Sequence, residues 1–348
     1  MILIESHDGD DHLAPVRSEL ESRGHEVVVL DTARYPVETA IAISYDDAGA
    51  QPDLRLRLGG TVHDLNACTA AWWRRAQAFT LHPELTDAEA RTFAYNEAAE
   101  GLEGLRALLK VSWINDPTRD ARAAHKPYQL REARRAGLTT PRTLMTNDPE
   151  AARGFLEGQG GRPTVYKSFL ALEGAWRETR VLRDDEHDRL DLVQVAPVIF
   201  QEYVDGDVDL RVTVVGDVVH AAKIHSARTA YNTDYRMELA TVPMEPYELP
   251  EKVRRGVIRL MRRLGLVYGA IDFRVRPDGE HVFFEINPSG QWLFIEERTG
   301  LPITRTFVDA LASADRGAPH PRSAPSGCPD CEQNVPRAPR AREAEPVV

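Results

Sequence analysis

The sequence predicts a chain of α/β and α+β class, with an α/β amino-terminal domain followed by a region of hairpins and helices. Three observations carry that reading. Met1-Ile-Leu-Ile-Glu5 is a buried-strand run, His12 to Arg23 suits a helix ending at Gly24, and His25-Glu-Val-Val-Val-Leu30 is a second strand, parallel to the first by crossover logic. Asn115-Asp-Pro117 has the composition of a domain junction. Lastly, Gly269 to Gly290 holds two apolar runs, each carrying an acid, on either side of Pro277-Asp278-Gly279. That pattern is a hairpin signature.

The remaining elements follow in order. No Gly-x-Gly-x-x-Gly follows the first strand, so a dinucleotide fold has no support. Leu54–Leu58 and Ala70–Arg75 read as further strands. Within the second, Trp72-Trp73-Arg74-Arg75 reads as an aromatic pair covering a sheet edge, with a binding lip as the alternative. A long helix from Thr86 to about Lys110 places Phe93, Leu102, Leu105 and Leu109 on related faces. Past the junction, Asp116 or Thr118 can cap a helical segment that holds Lys126, runs to Arg135 and closes at Gly137. A strand at Arg142–Met145 leads to a short helix after Asn147-Asp-Pro-Glu150, then to the strand Thr164–Phe169, which holds Lys167. Val198–Val204 is a strongly apolar strand, and Asp209–Val215 and Val218–Ser226 are two more, joined by Gly216-Asp217. Glu251–Leu264 shows Val253, Val257, Leu260 and Leu264 at helical spacing; the hairpin follows, then a short helix near Ile303–Leu311. From Asp315 to Val348 the chain is rich in Pro, Ala, Arg and Glu with little to bury, so this tail is expected to be disordered.

At 348 residues the chain has room for two or three domains, and 42% hydrophobic with 28% charged residues is a globular composition. There is no apolar run near the roughly 18 residues of a membrane span and no charged-then-apolar leader, so a cytoplasmic location without membrane contact is expected. A net charge of −11, from 43 basic and 54 acidic residues, argues against a nucleic-acid partner and mildly for a basic one. Cys68 stands alone. Cys328 and Cys331 form a Cys-x-x-Cys pair, but with only His320 nearby they read as incidental tail cysteines rather than a zinc site.

Chemistry concentrates in the hairpin. With a two-residue loop, Asp272 and Glu285 sit directly opposite each other, and Asn287 shares a face with Glu285 because side chains alternate. Pro-Asp-Gly also favours a three-residue loop with a bulge, which slips the pairing by one. Three converging oxygen ligands suit Mg²⁺; the plain alternative is a surface hairpin with acids in solvent. ATP requires cations on its phosphates, an apolar slot with backbone partners for adenine, and Mg²⁺ across the β- and γ-phosphates. Lys126 and Lys167 suit the first, the backbone of Glu202, Tyr203 and Val204 the second, and Asp272, Glu285 and Asn287 the third.

These residues bring a resemblance into view. The chain resembles the ATP-grasp enzymes, and more narrowly the ATP-grasp ribosomal peptide maturases, the graspetide synthetases. The carrying motifs are His125-Lys-Pro-Tyr-Gln-Leu130, Gly137-Leu138, Pro141-Arg-Thr-Leu144, Val165-Tyr-Lys167 and Ala196-Pro-Val-Ile-Phe-Gln-Glu-Tyr-Val204. Asp209-Leu-Arg-Val-Thr-Val-Val-Gly216, Asp234-Tyr-Arg236, Glu285-Ile-Asn-Pro-Ser-Gly-Gln-Trp292 and Gly300-Leu-Pro302 continue it. The resemblance implies residues 1–115 as a pre-ATP-grasp domain and 116–197 and 198–314 as two α+β lobes clasping ATP, with 315–348 the disordered tail.

It also implies a reaction. An Asp or Glu side chain of a ribosomally made precursor peptide is phosphorylated by ATP, then captured by a Thr or Ser hydroxyl or a Lys amine as a macrocyclic ester or amide. Arg211 and Arg236 are expected to face the γ-phosphate and the acceptor carboxylate, with Lys167 beside them; a pairing of Arg211 with Asp209 and a solvated Arg236 are the alternatives. Gln201 belongs to the adenine strand. Asp209 reads equally as a ribose ligand or a strand-end ion pair, and Lys223 stands where such maturases tend to carry an acid. The acidic run Asp184, Asp185 and Glu186 is a candidate for binding a leader-peptide arginine, or a solvated turn. Tyr231–Asp234 belongs to an active-site loop, and such enzymes are often homodimers. Two other functions are weighed: an ATP-grasp ligase adding amino acids to a protein terminus or small carboxylate, and a non-catalytic nucleotide-dependent peptide-binding scaffold.

Overall fold

The computed structural model describes residues 1–46, 49, 51–169, 179–226 and 241–316. The amino-terminal part runs β1 (Ile2–Glu5), α1 (Leu13–Ser22), β2 (Val27–Leu30), β3 (Thr39–Ser44), β4 (Asp53–Leu58), β5 (Thr61–Asp64), β6 (Ala70–Trp73), α2 (Ala88–Leu108) and β7 (Ser112–Ile114). A parallel sheet orders its strands β2-β1-β6-β7, as the strand–helix–strand opening implies. α1 turns Leu13, Val16 and Leu20 onto it at helical spacing. β4 lies where a strand was expected, but in a separate antiparallel sheet with β3 and β5.

Two sequence expectations change here. β6 is an interior strand with Trp72 only 1% exposed, so the tryptophan pair is neither an edge cover nor a lip. Trp73 is instead half-buried beneath the Arg106 guanidinium, 4.6 Å from its ring centre. In α2, capped by the Asp87 carboxylate on the Ala90 N–H at 2.8 Å, Leu102 and Leu105 are buried while Phe93 is 67% exposed. At about 100° per residue, Phe93 stands half a turn away from Leu102, on the outer face.

The central part begins at Asp116, whose carboxylate accepts from the Arg119 N–H at 3.0 Å, with Pro117 in the first helical turn. The helical segment to Arg135 is two helices, α3 (Pro117–Ala123) and α4 (Lys126–Arg135), because Pro127 is tolerated only in a first turn. β8 (Thr143–Thr146), α5 (Pro149–Glu157), β9 (Thr164–Lys167), β10 (Arg180–Val181), a 3₁₀ helix (Asp184–Gln194) and β11 (Val198–Glu202) follow. Their sheet is ordered β10-β9-β11-β8, with Leu144, Tyr166 and Phe200 packed beneath Ala152 of α5 on one face. Lys167, Gln201 and Thr143 alternate onto the other.

The last part comprises β12 (Val208–Val215), β13 (Val218–Ile224), β14 (Met244–Pro246), α6 (Glu251–Leu264), β15 (Tyr268–Val275), β16 (His281–Asn287), α7 (Leu293–Thr299) and α8 (Ile303–Asp315). The antiparallel sheet β14-β13-β12-β15-β16 sets Leu210, Val212, Ile271, Phe273 and Phe283 against Leu130 of α4 and Val257 and Leu260 of α6. Its opposite face shares one core with the amino-terminal sheet: Ile4, Val16 and Trp72 meet Ala222, Ile224, Tyr268, Trp292 and Phe307. Trp292 stacks on Phe307 at 4.9 Å between ring centres, and Trp72 lies 4.8 Å from Phe307. α8 extends beyond its expected end, and Asp315, expected to open the tail, closes it, hydrogen-bonded to His25 Nδ1 at 2.6 Å. The expected disorder of the tail, with His320, Cys328 and Cys331, concerns residues outside those described.

α3 also directs Asp120 inward, 8% exposed, to accept from the Ser289 hydroxyl at 3.2 Å. Burial pushes its carboxyl up to about 6.

Two measurements check this architecture. Phe307→Ala should lower unfolding free energy by about 3–5 kcal/mol in a urea titration, since it opens the core shared by the two ends of the chain. Asp120 has a folded pKa near 6, above the roughly 3.9 of an unfolded Asp, so the folded state binds its proton more tightly. The sign is that wild-type stability declines as pH rises from about 4 to about 6 and levels off above. The stability difference between Asp120→Asn and wild type should grow across that window; a difference constant with pH would show that Asp120 ionises normally.

Candidate active site

The hairpin of β15 and β16 sets Asp272 directly opposite Glu285 and Ala270 opposite Asn287. Of the two loops that the sequence allows, the turn takes the longer one. The Arg276 N–H donates to the Glu280 carbonyl at 2.9 Å, and the Gly279 N–H to the Arg276 carbonyl at 2.8 Å, with Gly279 at φ +86°. This is the three-residue loop, and it pairs Phe273 with Phe283, one residue out of step with the acids. A bulge at Phe284 then restores the register, so the carboxylates face each other despite the slip. The Asn287 Oδ1 accepts from the Ser289 N–H at 3.0 Å, which begins the turn into the loop Pro288–Trp292.

Cations meet both acids. Arg211, on β12 opposite Asp272, donates through Nη1 to Asp272 Oδ1 at 2.9 Å and through Nη2 to the Gln291 carbonyl at 3.1 Å. Gly290 makes this approach possible: a Cβ there would lie 2.8 Å from Arg211 Nη2 and 2.5 Å from the Ala270 Cβ. Asp209 does not pair with Arg211. It takes both branches of Arg274, at 2.9 and 2.8 Å, and so adopts the strand-end ion-pair reading rather than a ribose contact. From the start of α4, which packs under the same sheet, the Lys126 ammonium is ion-paired with Glu285. Gln129, one turn along α4, fixes that reach: its amide donates to the Ala123 carbonyl at 2.7 Å and the Ile286 carbonyl at 2.8 Å, and accepts from the Ile286 N–H at 3.1 Å.

On the central sheet, Lys167 Nζ donates to Gln201 Oε1 at 3.0 Å, and Gln201 Nε2 to the Thr143 hydroxyl at 2.9 Å. Beyond β11, the Glu202 N–H is taken by the Arg142 carbonyl at 2.9 Å and the Tyr203 N–H by the Pro163 carbonyl at 3.0 Å. Among the described residues, this leaves the Val204 N–H as the backbone donor of the segment without a partner inside the lobe. The Glu202 carboxylate accepts from Arg276 Nη2 at 2.8 Å, linking the segment to the hairpin turn.

Several expectations fall elsewhere. Glu186 is not available to a leader arginine: Arg180 grips both its oxygens at 2.6 Å and holds its carboxyl down at about 2. Asp185 is hydrogen-bonded to Arg183 at 3.2 Å, and the side chain of Asp184 lies outside the described set. Arg236 and Tyr231–Asp234 fall outside the described residues. Lys223 pairs with Glu245 at 3.2 Å, on the sheet face opposite Asp272. Gln129 went unrecognised in the sequence; only its place one turn after Lys126 hinted at it.

The donor set is two carboxylates and one amide oxygen. Among the described residues, no group of three His, Cys, Asp or Glu side chains forms a metal cluster. A hard cation that keeps much of its own water fits such a set better than one demanding a full protein cage. Also among the described residues, no helix is long and apolar enough to cross a membrane.

Comparison with known proteins bears on the fold and the family. Residues 1–121 match the MvdD pre-ATP grasp domain, and residues 123–311 match the RimK-like ATP-grasp domain. The macrocyclase MdnC bound with precursor peptide MdnA from Microcystis aeruginosa is similar at a TM-score of 0.80 and 29% identity, over 90% of this chain and 99% of that one. A RiPP-associated ATP-grasp ligase from Chryseobacterium gregarium, in complex with ADP and a leader and core peptide, is similar at 0.82 and 26%, over 92% and 98%. A probable alpha-L-glutamate ligase of Shewanella oneidensis is 27% identical over 210 residues, 59% of this chain and 68% of the relative. With residues 123–311, more than half its length, matched by that domain, the chain has the ATP-grasp fold and belongs to the RimK-like ATP-grasp ligase family.

Proposed function

We propose that this chain is an ATP-dependent ligase that activates Asp or Glu side chains of a ribosomally made precursor peptide and closes macrocyclic ester or amide links to Thr, Ser or Lys. The carrying observation is the opposed pair Asp272–Glu285 with Asn287, met by Arg211 of β12 and by Lys126 of α4. A peptide substrate is favoured over a small acid because residues 1–121 match the MvdD pre-ATP grasp domain and the likeness to the two peptide-bound enzymes covers at least 90% of the chain.

Asp272, Glu285 and Asn287 would hold Mg²⁺, which when bound offsets the charge of the ATP phosphates. The protein's own residues supply the rest. Lys126 and Lys167, one on each side of the cleft, would face the phosphates, and the Val204 N–H with the Glu202 carbonyl would receive adenine. The fork of Arg211, with Arg236 from beyond the described residues, would hold the acceptor carboxylate against the γ-phosphate. A carboxylate oxygen then bonds to the γ-phosphorus as the bond to ADP breaks. A hydroxyl or amine next adds to the acyl carbon, loses its proton and expels phosphate, so each crosslink removes one water from the peptide.

The direct test is mass spectrometry of a candidate precursor treated with the protein, ATP and Mg²⁺. The expected result is loss of one water for each link, with matching ADP release. ADP release with added glutamate, joined to a protein terminus and without water-loss links, would favour the glutamate-ligase reading. No ADP release with any carboxylate would overturn the ligase reading altogether. Arg211→Ala should lower turnover about 10²–10³-fold, and Arg211→Lys, which lacks the fork, should recover only part of it. An effect below tenfold at saturating ATP would remove Arg211 from the reacting centre.

A further inference from the structure

In open parallel sheets, the crevice at the carboxyl ends of the strands where chain order reverses commonly receives a ligand. Here that point lies between β1 and β6, which are adjacent in the sheet although β1 is followed in sequence by β2 on its other side. The chain fills the crevice with its own loop, the one that follows Asn287.

Three side chains from the amino-terminal domain line it, each nearly inaccessible: Asp10 at 5%, His12 at 2% and Arg74 at 3% exposed. Arg74 donates through Nε to Asp10 Oδ2 at 2.9 Å, and through Nη1 to the Ser289 carbonyl and the Gly290 carbonyl, the latter at 3.1 Å. His12 Nε2 receives the Trp292 N–H at 3.0 Å and the Leu293 N–H at 3.3 Å. Two donors on Nε2 require its lone pair, so a neutral ring carries its proton on Nδ1, which lies 3.3 Å from Asp10 Oδ1 and 3.0 Å from Arg74 Nη2. The same loop gives its Gln291 carbonyl to Arg211 and its Gly290 carbonyl to the Tyr268 hydroxyl at 2.7 Å.

We infer that Asp10, His12 and Arg74 are positioning residues for the ligase reaction: from the amino-terminal domain they hold the loop 288–293, and through it set Arg211 against Asp272 and Asn287 at the strand end. This rests on the proposed function for its catalytic consequence and on geometry alone for the clamp. None of the three touches the reacting atoms. Their effect passes through two backbone carbonyls and two backbone amides, which is how supporting groups fix a site by geometry.

The clamp requires neutral His12. The charged groups facing the ring are Asp10 from its own segment and Arg74 and Arg75 from the end of β6; α7 contributes backbone amides. Burial lowers the His12 pKa, with Asp10 opposing and Arg74 reinforcing the shift. Burial would raise the Asp10 carboxyl, yet His12 and Arg74 hold it below the ordinary carboxylate range. A proton on Nε2 would oppose two N–H donors beside a guanidinium, so the clamp holds at neutral pH and opens as pH falls through the lowered His12 pKa.

The test uses the full chain and compares His12→Gln with His12→Leu. The glutamine oxygen can accept from Trp292 and Leu293 at any pH; leucine cannot. In hydrogen exchange without nucleotide, His12→Leu should lose protection across residues 288–293 and His12→Gln should keep it. In turnover, His12→Leu should fall about 10–100-fold. His12→Gln should recover to within tenfold of wild type and lose the acid limb of the rate profile. Unchanged exchange in His12→Leu would overturn the clamp whatever the enzyme does. Altered exchange with wild-type turnover would overturn its catalytic role. If wild type itself fails to turn over ATP, the ligase reading and the catalytic role fall together, while exchange still judges the clamp.

Discussion

Two carboxylates placed directly opposite on neighbouring strands are the constraint around which the rest of this structure is arranged. At a side-chain spacing of about 5 Å and an effective dielectric near 20, two such charges repel by about 3 kcal/mol. That is a large part of the stability of an ordinary domain, so Asp272 and Glu285 need counter-charges. Arg211 comes from the adjacent strand β12, and Lys126 from the start of α4, which packs under the same sheet. The arrangement that relieves the repulsion therefore also ties α4 to the hairpin at the candidate site. Arg274 and Asp209 repeat the motif one step along the same strands, out of solvent.

The hairpin shows how a local irregularity can preserve a long-range requirement. Its tip takes the loop that Pro-Asp-Gly prefers, which moves the pairing by one residue, and the bulge at Phe284 moves it back. Without that bulge, Glu285 would turn to the face occupied by Phe273 and Ile286, which belong to the core under α4 and α6.

Much of this was legible in the sequence. The parallel opening, α6 to its end residues and the two lysine-bearing segments follow from periodicity, whereas the facing acids were expected from a two-residue loop and are reached instead through a three-residue loop and the bulge at Phe284. What was not legible depends on neighbours that a pattern cannot specify. Trp72 reads as an edge residue because alternation says nothing about how many strands flank it. Arg211 finds Asp272 rather than Asp209 because ion pairs between strands obey register, and Arg274 was available for the other acid. β5 and β14 are short and weakly apolar, so pairing rather than propensity defines them, whereas β3 has six residues with Ala and Ile and went unread as a strand. Gln129 and His12 are single polar residues whose importance lies in what folds against them, and only the place of Gln129 one turn after Lys126 hints at either. The acidic run ending in Glu186 looked free in one dimension because its partner Arg180 sits on the strand just before it.

The core shared by Trp72, Trp292 and Phe307 bears on how this architecture can be recombined. The amino-terminal domain is no detachable module, because its sheet and the last sheet of the chain bury the same aromatic cluster. Chimeras that splice this domain onto a foreign pair of lobes at residue 115 would cut through that hydrophobic seam. A workable exchange must transplant α7, α8 and the preceding loop together with the amino-terminal sheet, since that core spans the two matched domains.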